Sequence, residues 1–248
     1  MLALLGAMKP EIEPLKRQME MQRQVRAGSC LVYEGRYRGR PVLLVQTGVG
    51  GHRAEAAVKY VLDNYQVQTI ISLGFAGGLV PGLKAGELII CGRLVHGQSP
   101  VLESTAPLIE LAKRIAGQTE ASLVTVSRPA SQRHEKEMLA QTYSAQAVDM
   151  ESYWMAAEAA RHGTPCLVVR VISDPLDCDL PNLEGISSGS GEWNKRKAFF
   201  YFAGHPLETL RLSRLYFGHR RAKRNLVRFV NGFVSVFQNQ AEKLEEKP

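Results

Sequence analysis

Short apolar runs rich in branched residues take turns with longer amphipathic stretches along most of this chain. "LALLGAM", "GELIICGRLVH", "SLVTVS" and "TPCLVVRVISD" read as strands, the last as apolar until it ends in Ser173 and Asp174. "SCLVYEGRYRGRPVLLVQTG" reads as a hairpin turning at Arg38-Gly39, and "QTIISLGFAGGL" as a strand entering a glycine-rich loop. Between them, "PEIEPLKRQMEM" reads as a helix with proline at its start, and "GHRAEAAVKYVLDNY", "TAPLIELAKRIAG" and "SQRHEKEMLAQTY" as further helices. "AVDMESYWMAAEA" is a helix preceded by the short run "QAVD". Strands that are apolar on both faces and alternate with helices specify an α/β sheet covered on two sides. The chain divides into a single domain over 1–204 and a basic helical extension over 205–248 that packs on or flanks it. "DLPNLEGISSGSGEWNKRKA", rich in glycine and serine, reads as a loop.

With 248 residues and 45% hydrophobic content the chain can bury one substantial core. No stretch reaches the roughly eighteen apolar residues of a membrane span. The opening "MLALLGAM" lacks a basic leader and runs into Lys9, Pro10 and Glu11, so it reads as a first buried strand. Cys30, Cys91, Cys166 and Cys178 show no metal spacing, which predicts a reducing cytoplasm and no metal site. The net charge of +7 is concentrated from His205 to Arg228, where seven Arg or Lys face one Glu. A solvated helix explains that run. Leu210, Leu215 and Phe217 within it add a second reading, peripheral contact with an anionic membrane surface. Nucleic acid is disfavoured, because the run belongs to no known reading motif.

Ligands in open α/β sheets gather beyond the carboxyl ends of strands, and the unusual residues cluster there. Glu11 follows the first strand, Thr47-Gly48-Val49-Gly50 the "VLLVQ" strand, and Gly74-Phe75-Ala76-Gly77-Gly78 the "TIISL" strand. Met150-Glu151 follows "QAVD", and Ser173-Asp174 closes "CLVVRVI". Singly, each has an ordinary explanation: glycines make turns, Glu11 suits a helix first turn, and Asp174 before Pro175 suits a turn.

Their joint order resembles the nucleoside phosphorylase and nucleosidase superfamily, in "GAMKPEI", "TGVGGHRAEAA", "SLGFAGGL", "AVDMES" and "VVRVISDP". Within it, "LGFAGGL", "VDMES", "CDLP" and the basic run from His205 resemble the hopanoid-associated phosphorylases most. The resemblance implies a three-layer fold with a mixed, partly barrel-like central sheet, a homo-oligomer, and cleavage of the N-ribosidic bond of a purine nucleoside. Breaking that bond builds positive charge on the sugar. The resemblance implies that Glu151 holds the ribose hydroxyls above Met150, that Asp174, oriented by Ser173, protonates the purine N7, and that Glu11 activates the attacking water. For Asp174 this calls for a carboxyl kept protonated by burial at the end of an apolar strand. It also implies that Gly48, Phe75, Ala76 and Gly77 contact substrate, while Asp149 is structural.

This chain departs from the family pattern in two places. Phe75 stands where many relatives carry serine, and Ser72 where bacterial purine phosphorylases carry a phosphate-binding arginine. Both changes favour water over phosphate as nucleophile, with Arg53 or a partner subunit's arginine the way to restore phosphate as co-substrate. No other cofactor is expected. "TVSRPASQRH" shows no counterpart of the family's adenine-lining residues. The leading expectation is adenine release from adenosylhopane. The alternatives are a methylthioadenosine/S-adenosylhomocysteine-type nucleosidase, a purine nucleoside phosphorylase, or a nucleoside-binding protein without activity.

Overall fold

Strand β1, Leu2–Gly6, is buried along its whole length, and the direction of alternate side chains explains why it carries no polar face. Leu2 and Leu4 enter one hydrophobic cluster and Ala3 and Leu5 another, on opposite sides of the sheet. The computed structural model describes residues 1–118, 120–178 and 220–237. In chain order, helix α1 (Lys9–Lys16) follows β1, then β2 (Met19–Ala27), β3 (Cys30–Tyr37), β4 (Arg40–Gln46) and α2 (Gly51–Asn64). Next come β5 (Thr69–Gly78), β6 (Leu88–Val95), β7 (Leu102–Glu103), α3 (Ala106–Ala116) and β8 (Glu120–Thr125). The order ends with α4 (Arg133–Tyr143), β9 (Ala147–Asp149), α5 (Ser152–Arg161), β10 (Cys166–Asp174) and helix α6 over 220–237. The loop expected at 179–198, and the part of the basic run before Arg220, lie outside the described residues.

The ten strands form one mixed sheet in the order β10-β6-β8-β9-β5-β1-β4-β3-β2, with β7 beside β6. A further pairing of β10 with β5 closes five of them, β5-β10-β6-β8-β9, into a barrel. The ten residues of β5 make this closure: its first half pairs with β1, Gly77 and Gly78 pair with β9, and β10 runs beside it from Ile70 to Gly77. Helices α2 and α5 supply buried side chains to one cluster, whereas α1, α3 and α6 supply the other. The mixed, partly barrel-like α/β architecture expected of the chain is therefore the one observed.

Three local expectations change. The stretch read as a glycine-rich loop is strand, since Gly74, Gly77 and Gly78 all lie within β5. The first helix stops at Lys16, and Met19–Ala27 is an edge strand. That strand is mostly exposed and paired along β3; Met19, Met21, Val25 and Ala27 alternate along it, but Met19 also continues the helical spacing of Ile12 and Leu15, so the pairing decides it. The run read as apolar in β10 contains a buried arginine, Arg170. The β3–β4 hairpin does turn at Arg38 and Gly39, both with positive φ (53° and 79°), the geometry that matches strand twist in a two-residue turn.

Helix α6 docks through Ala222, Leu226, Phe229, Val230, Phe233 and Val234, a helical stripe buried in the core. Asn225 Nδ2 donates to the Gly86 carbonyl at 2.6 Å, and Tyr37 donates to Asn231 Oδ1 at 2.7 Å. Arg221, Arg224 and Arg228 face outward. Its apolar side is thus committed to the protein, and the described part of the basic run is a solvated helix face. No helix among the described residues is long and apolar enough to cross a membrane.

Candidate active site

The carboxyl ends of β1, β5, β9 and β10 meet at a hollow of about 300 Å³, at the small end of the ligand-cleft range. Glu11, Phe75, Ala76, Gly77, Met150, Glu151, Ser173 and Asp174 all line it. Gly48 does not. It has φ 87° and donates its N–H to the Ala7 carbonyl at 3.0 Å, and its neighbour Val49 reaches the hollow instead. A larger hollow of about 470 Å³ lies elsewhere, lined by Val80–Ala85, Arg133 and Pro175–Asp177, and gathers no comparable set of acids.

Glu11 arrives from the first turn of α1, where Pro10 presets the backbone. Its Oε2 accepts the Met8 N–H at 2.8 Å, capping its own helix, and its Oε1 accepts the Phe75 N–H of β5 at 2.9 Å. Burial pushes its carboxyl above the ordinary range, against the pull of those amides and of the Arg170 guanidinium. The plain role of a helix-start acid and a place in the hollow are therefore filled by one side chain.

Glu151 stands just before α5, and its Oε1 accepts not from that helix but from the Gly50 N–H at the start of α2, at 2.8 Å. Its carboxyl is pushed up to about 7, first by burial and then by the negative charge of Asp149, with Glu11 adding to the effect. Asp149 also borders the hollow, but its oxygens are occupied. They accept from Thr125 Oγ1 (2.7 Å), Ser152 Oγ (2.6 Å), the Ser152 N–H (3.0 Å) and Arg170 Nε (3.0 Å). Asp149 and Glu151 do part company, one into a buried network and one toward the hollow.

Asp174 is buried, but its strand end is not apolar. Ser173 Oγ donates to Asp174 Oδ1 at 2.5 Å, and the Lys136 ammonium lies 2.8 Å from Oδ2. The close approach of the acids explains two of the β5 glycines. A Cβ at Gly74 would meet Glu11 Oε1 at 2.7 Å, and one at Gly77 would meet Asp174 Oδ2 at 3.1 Å.

Several site residues escaped the sequence reading. Arg170, 2% exposed, binds Asp149, the Val169 carbonyl and Ser72 Oγ. The signal was present, because a lone arginine inside "LVVRVI" is buried only when paired. Lys136 had no such signal, since "HEKEM" reads as a charged helix face. Val126, Pro129 and Ala130 give "TVSRPASQRH" the apolar wall it was thought to lack. Ser72 is buried against Arg170 and Met155 and does not border the hollow. Exposed Arg53 does not line it either. Phe75 is both core and wall. Four carboxylates against two cations, all buried, make a site suited to a substrate that gains positive charge.

Comparison with known proteins agrees with this architecture. The profile of the Phosphorylase superfamily matches residues 1–185. The 5′-methylthioadenosine/S-adenosylhomocysteine nucleosidase of Geobacillus thermodenitrificans is 28% identical over 195 residues, spanning 69% of this chain and 83% of that protein. The nucleosidase of the same name from Neisseria meningitidis, solved with methylthio-immucillin-A, superposes with a TM-score of 0.74 at 24% identity, covering 94% of this chain and 97% of its own. The futalosine hydrolase of Helicobacter pylori superposes with a TM-score of 0.70 at 21% identity, covering 93% and 97%. At such identities the two superpositions speak for the fold, and the profile match for the lineage: this chain belongs to the phosphorylase superfamily.

Proposed function

We propose that the protein is a nucleosidase that uses water to cleave the N-ribosidic bond of an adenine nucleoside modified at the 5′ position. The observation that carries this reading is the meeting of Glu11, Glu151 and Asp174, far apart in the chain, around one hollow. In this mechanism Glu151 accepts hydrogen bonds from the ribose hydroxyls and offsets the charge of the oxocarbenium-like sugar, with Met150 beneath it. Asp174 gives a proton to the purine N7 as the bond electrons pass into the base. Glu11 takes the proton of the water that adds to C1′. The apolar surfaces of Phe75, Val126 and Ala130 favour a flat base between them. Water is preferred over phosphate because no Lys or Arg is among the described residues lining the hollow.

The 5′ substituent is the finer part of the proposal. The sequence strings shared with hopanoid-associated phosphorylases support adenosylhopane, whose triterpene is too large for a hollow of about 300 Å³ and must lie outside it. Exposed Arg221, Arg224 and Arg228 suit an anionic surface near such a substrate, and a homo-oligomer belongs to the same proposal. The similarity to 5′-methylthioadenosine/S-adenosylhomocysteine nucleosidases supports those two nucleosides as the second reading. The deciding experiment incubates the protein with each of the three, with and without phosphate, and follows free adenine. Release that needs no phosphate supports hydrolysis, and the preferred substrate decides the substituent. No adenine from any of them would refute the reading.

A further inference from the structure

Lys136 is a buried charged group of this region to which the proposed reaction gives no task, and it differs from Arg170 in touching a residue that the reaction uses. It sits in the first half of α4, is wholly buried, and spends its ammonium on a single short segment. Nζ lies 2.8 Å from Asp174 Oδ2, and donates to the carbonyls of Pro175 at 2.9 Å, Cys178 at 3.1 Å and Asp174 at 3.4 Å. Burying a lysine costs several kcal/mol unless a partner compensates, so a chain that only needed to fasten this segment could do so with a neutral donor. The compensation here is the one carboxylate that the nucleosidase reading, on which this inference rests, assigns to the leaving base.

We infer that Lys136 is a positioning residue for departure of the base, acting through Asp174. When the C1′–N9 bond breaks, its electron pair passes into the purine and the proton of Asp174 moves to N7. A carboxylate is left behind. The ammonium beside Oδ2 stabilises that carboxylate as it forms, while Ser173 Oγ holds Oδ1, so that the acid keeps one orientation through the transfer. One proton passes from Asp174 to the base and leaves with the adenine; the proton that Glu11 takes from the attacking water goes to solvent, and Asp174 regains one from solvent.

A double-mutant cycle tests this in the full-length protein. Lys136→Met removes the charge at similar volume, Asp174→Asn removes the acid, and kcat and KM for adenine release are measured for both and for the pair. Lys136→Met is expected to lower kcat about 10- to 100-fold with KM changed less than about threefold, and the pair to be no slower than Asp174→Asn alone. A ribosyl ether of 4-nitrophenol, whose phenolate leaves without a proton, is expected to lose far less to Lys136→Met than the adenine nucleoside does. Multiplying effects, or equal losses on both substrates, would overturn the inference and make Lys136 a fastener of the segment from Asp174 to Cys178. Lys136→Gln, which keeps a donor for the Pro175 carbonyl, is carried in parallel and read by the same criteria if the Met variant does not fold. Failure of the unsubstituted protein to release adenine is a different result: it removes the nucleosidase reading, and this inference with it.

Discussion

Glu151 shows how one side chain is held in tension between stability and use. With its carboxyl raised to about 7 from an ordinary 4.5, the folded state binds that proton more tightly than the unfolded chain does. The associated stability is whole below about pH 4.5 and is lost as pH rises through about 7. A shift of this size corresponds to on the order of 3 kcal/mol at pH 8. Glu151→Gln, which keeps an oxygen for the Gly50 N–H, is expected to raise Tm by roughly 5 °C at pH 8, with the gain vanishing near pH 5 in thermal melts. The same group shapes catalysis, because only the ionised carboxylate can accept from two ribose hydroxyls. In the unsubstituted enzyme kcat/KM should therefore fall about tenfold per pH unit below about pH 7. Glu11→Gln is expected to leave the fold intact and lower kcat by about 10²- to 10⁴-fold in adenine-release assays, since the amide cannot take a proton. A loss below tenfold would remove Glu11 from the role of base.

Among the elements, β5 and β10 carry the site. The glycines of β5 suggest a loop to anyone reading the sequence, yet they are strand residues, and at Gly74 and Gly77 the packed carboxylates leave no room for a side chain. Gly74→Ala must displace Glu11 Oε1 from the Phe75 amide, and a drop in kcat of at least about tenfold, with a smaller change in KM, is expected from steady-state kinetics. β10 brings Arg170 to Asp149 inside the sheet and Asp174 to the hollow four residues later. Removing one partner of a buried ion pair leaves the other uncompensated, so Arg170→Met should cost about 3–5 kcal/mol in denaturant melts. The elements themselves were largely legible, because short continuous apolar runs in "LALLGAM" and "TIISL" and a period of 3.6 in "TAPLIELAKRIA" survive. β2 was not, although Met19, Met21, Val25 and Ala27 alternate, because Met19 also continues the helical spacing of Ile12 and Leu15 and only the pairing with β3 settles the choice.

For the molecule as a whole, closure of the barrel and the docking of α6 decide the outcome. Phe233 is 1% exposed and stacks on Phe237 at 5.6 Å between ring centroids. Phe233→Ala should cost about 3–5 kcal/mol, whereas the exposed Arg228→Ala should stay within about 0.5 kcal/mol, both by chemical denaturation. Equal effects would mean that α6 does not pack as described. From its own order of residues the chain determined the α/β class, most strand and helix positions, and a short list of acids at strand ends. Those are local matters, written in spacing and in which residues tolerate burial. Only the tertiary structure decided that Glu11, Glu151 and Asp174 border one hollow, that Val49 lines it where Gly48 does not, and that Lys136 and Arg170 come inside to face the acids. The reason is physical: a buried charge is paid for by a partner distant in sequence, and closing the sheet through β5 and β10 is what brings such partners within reach.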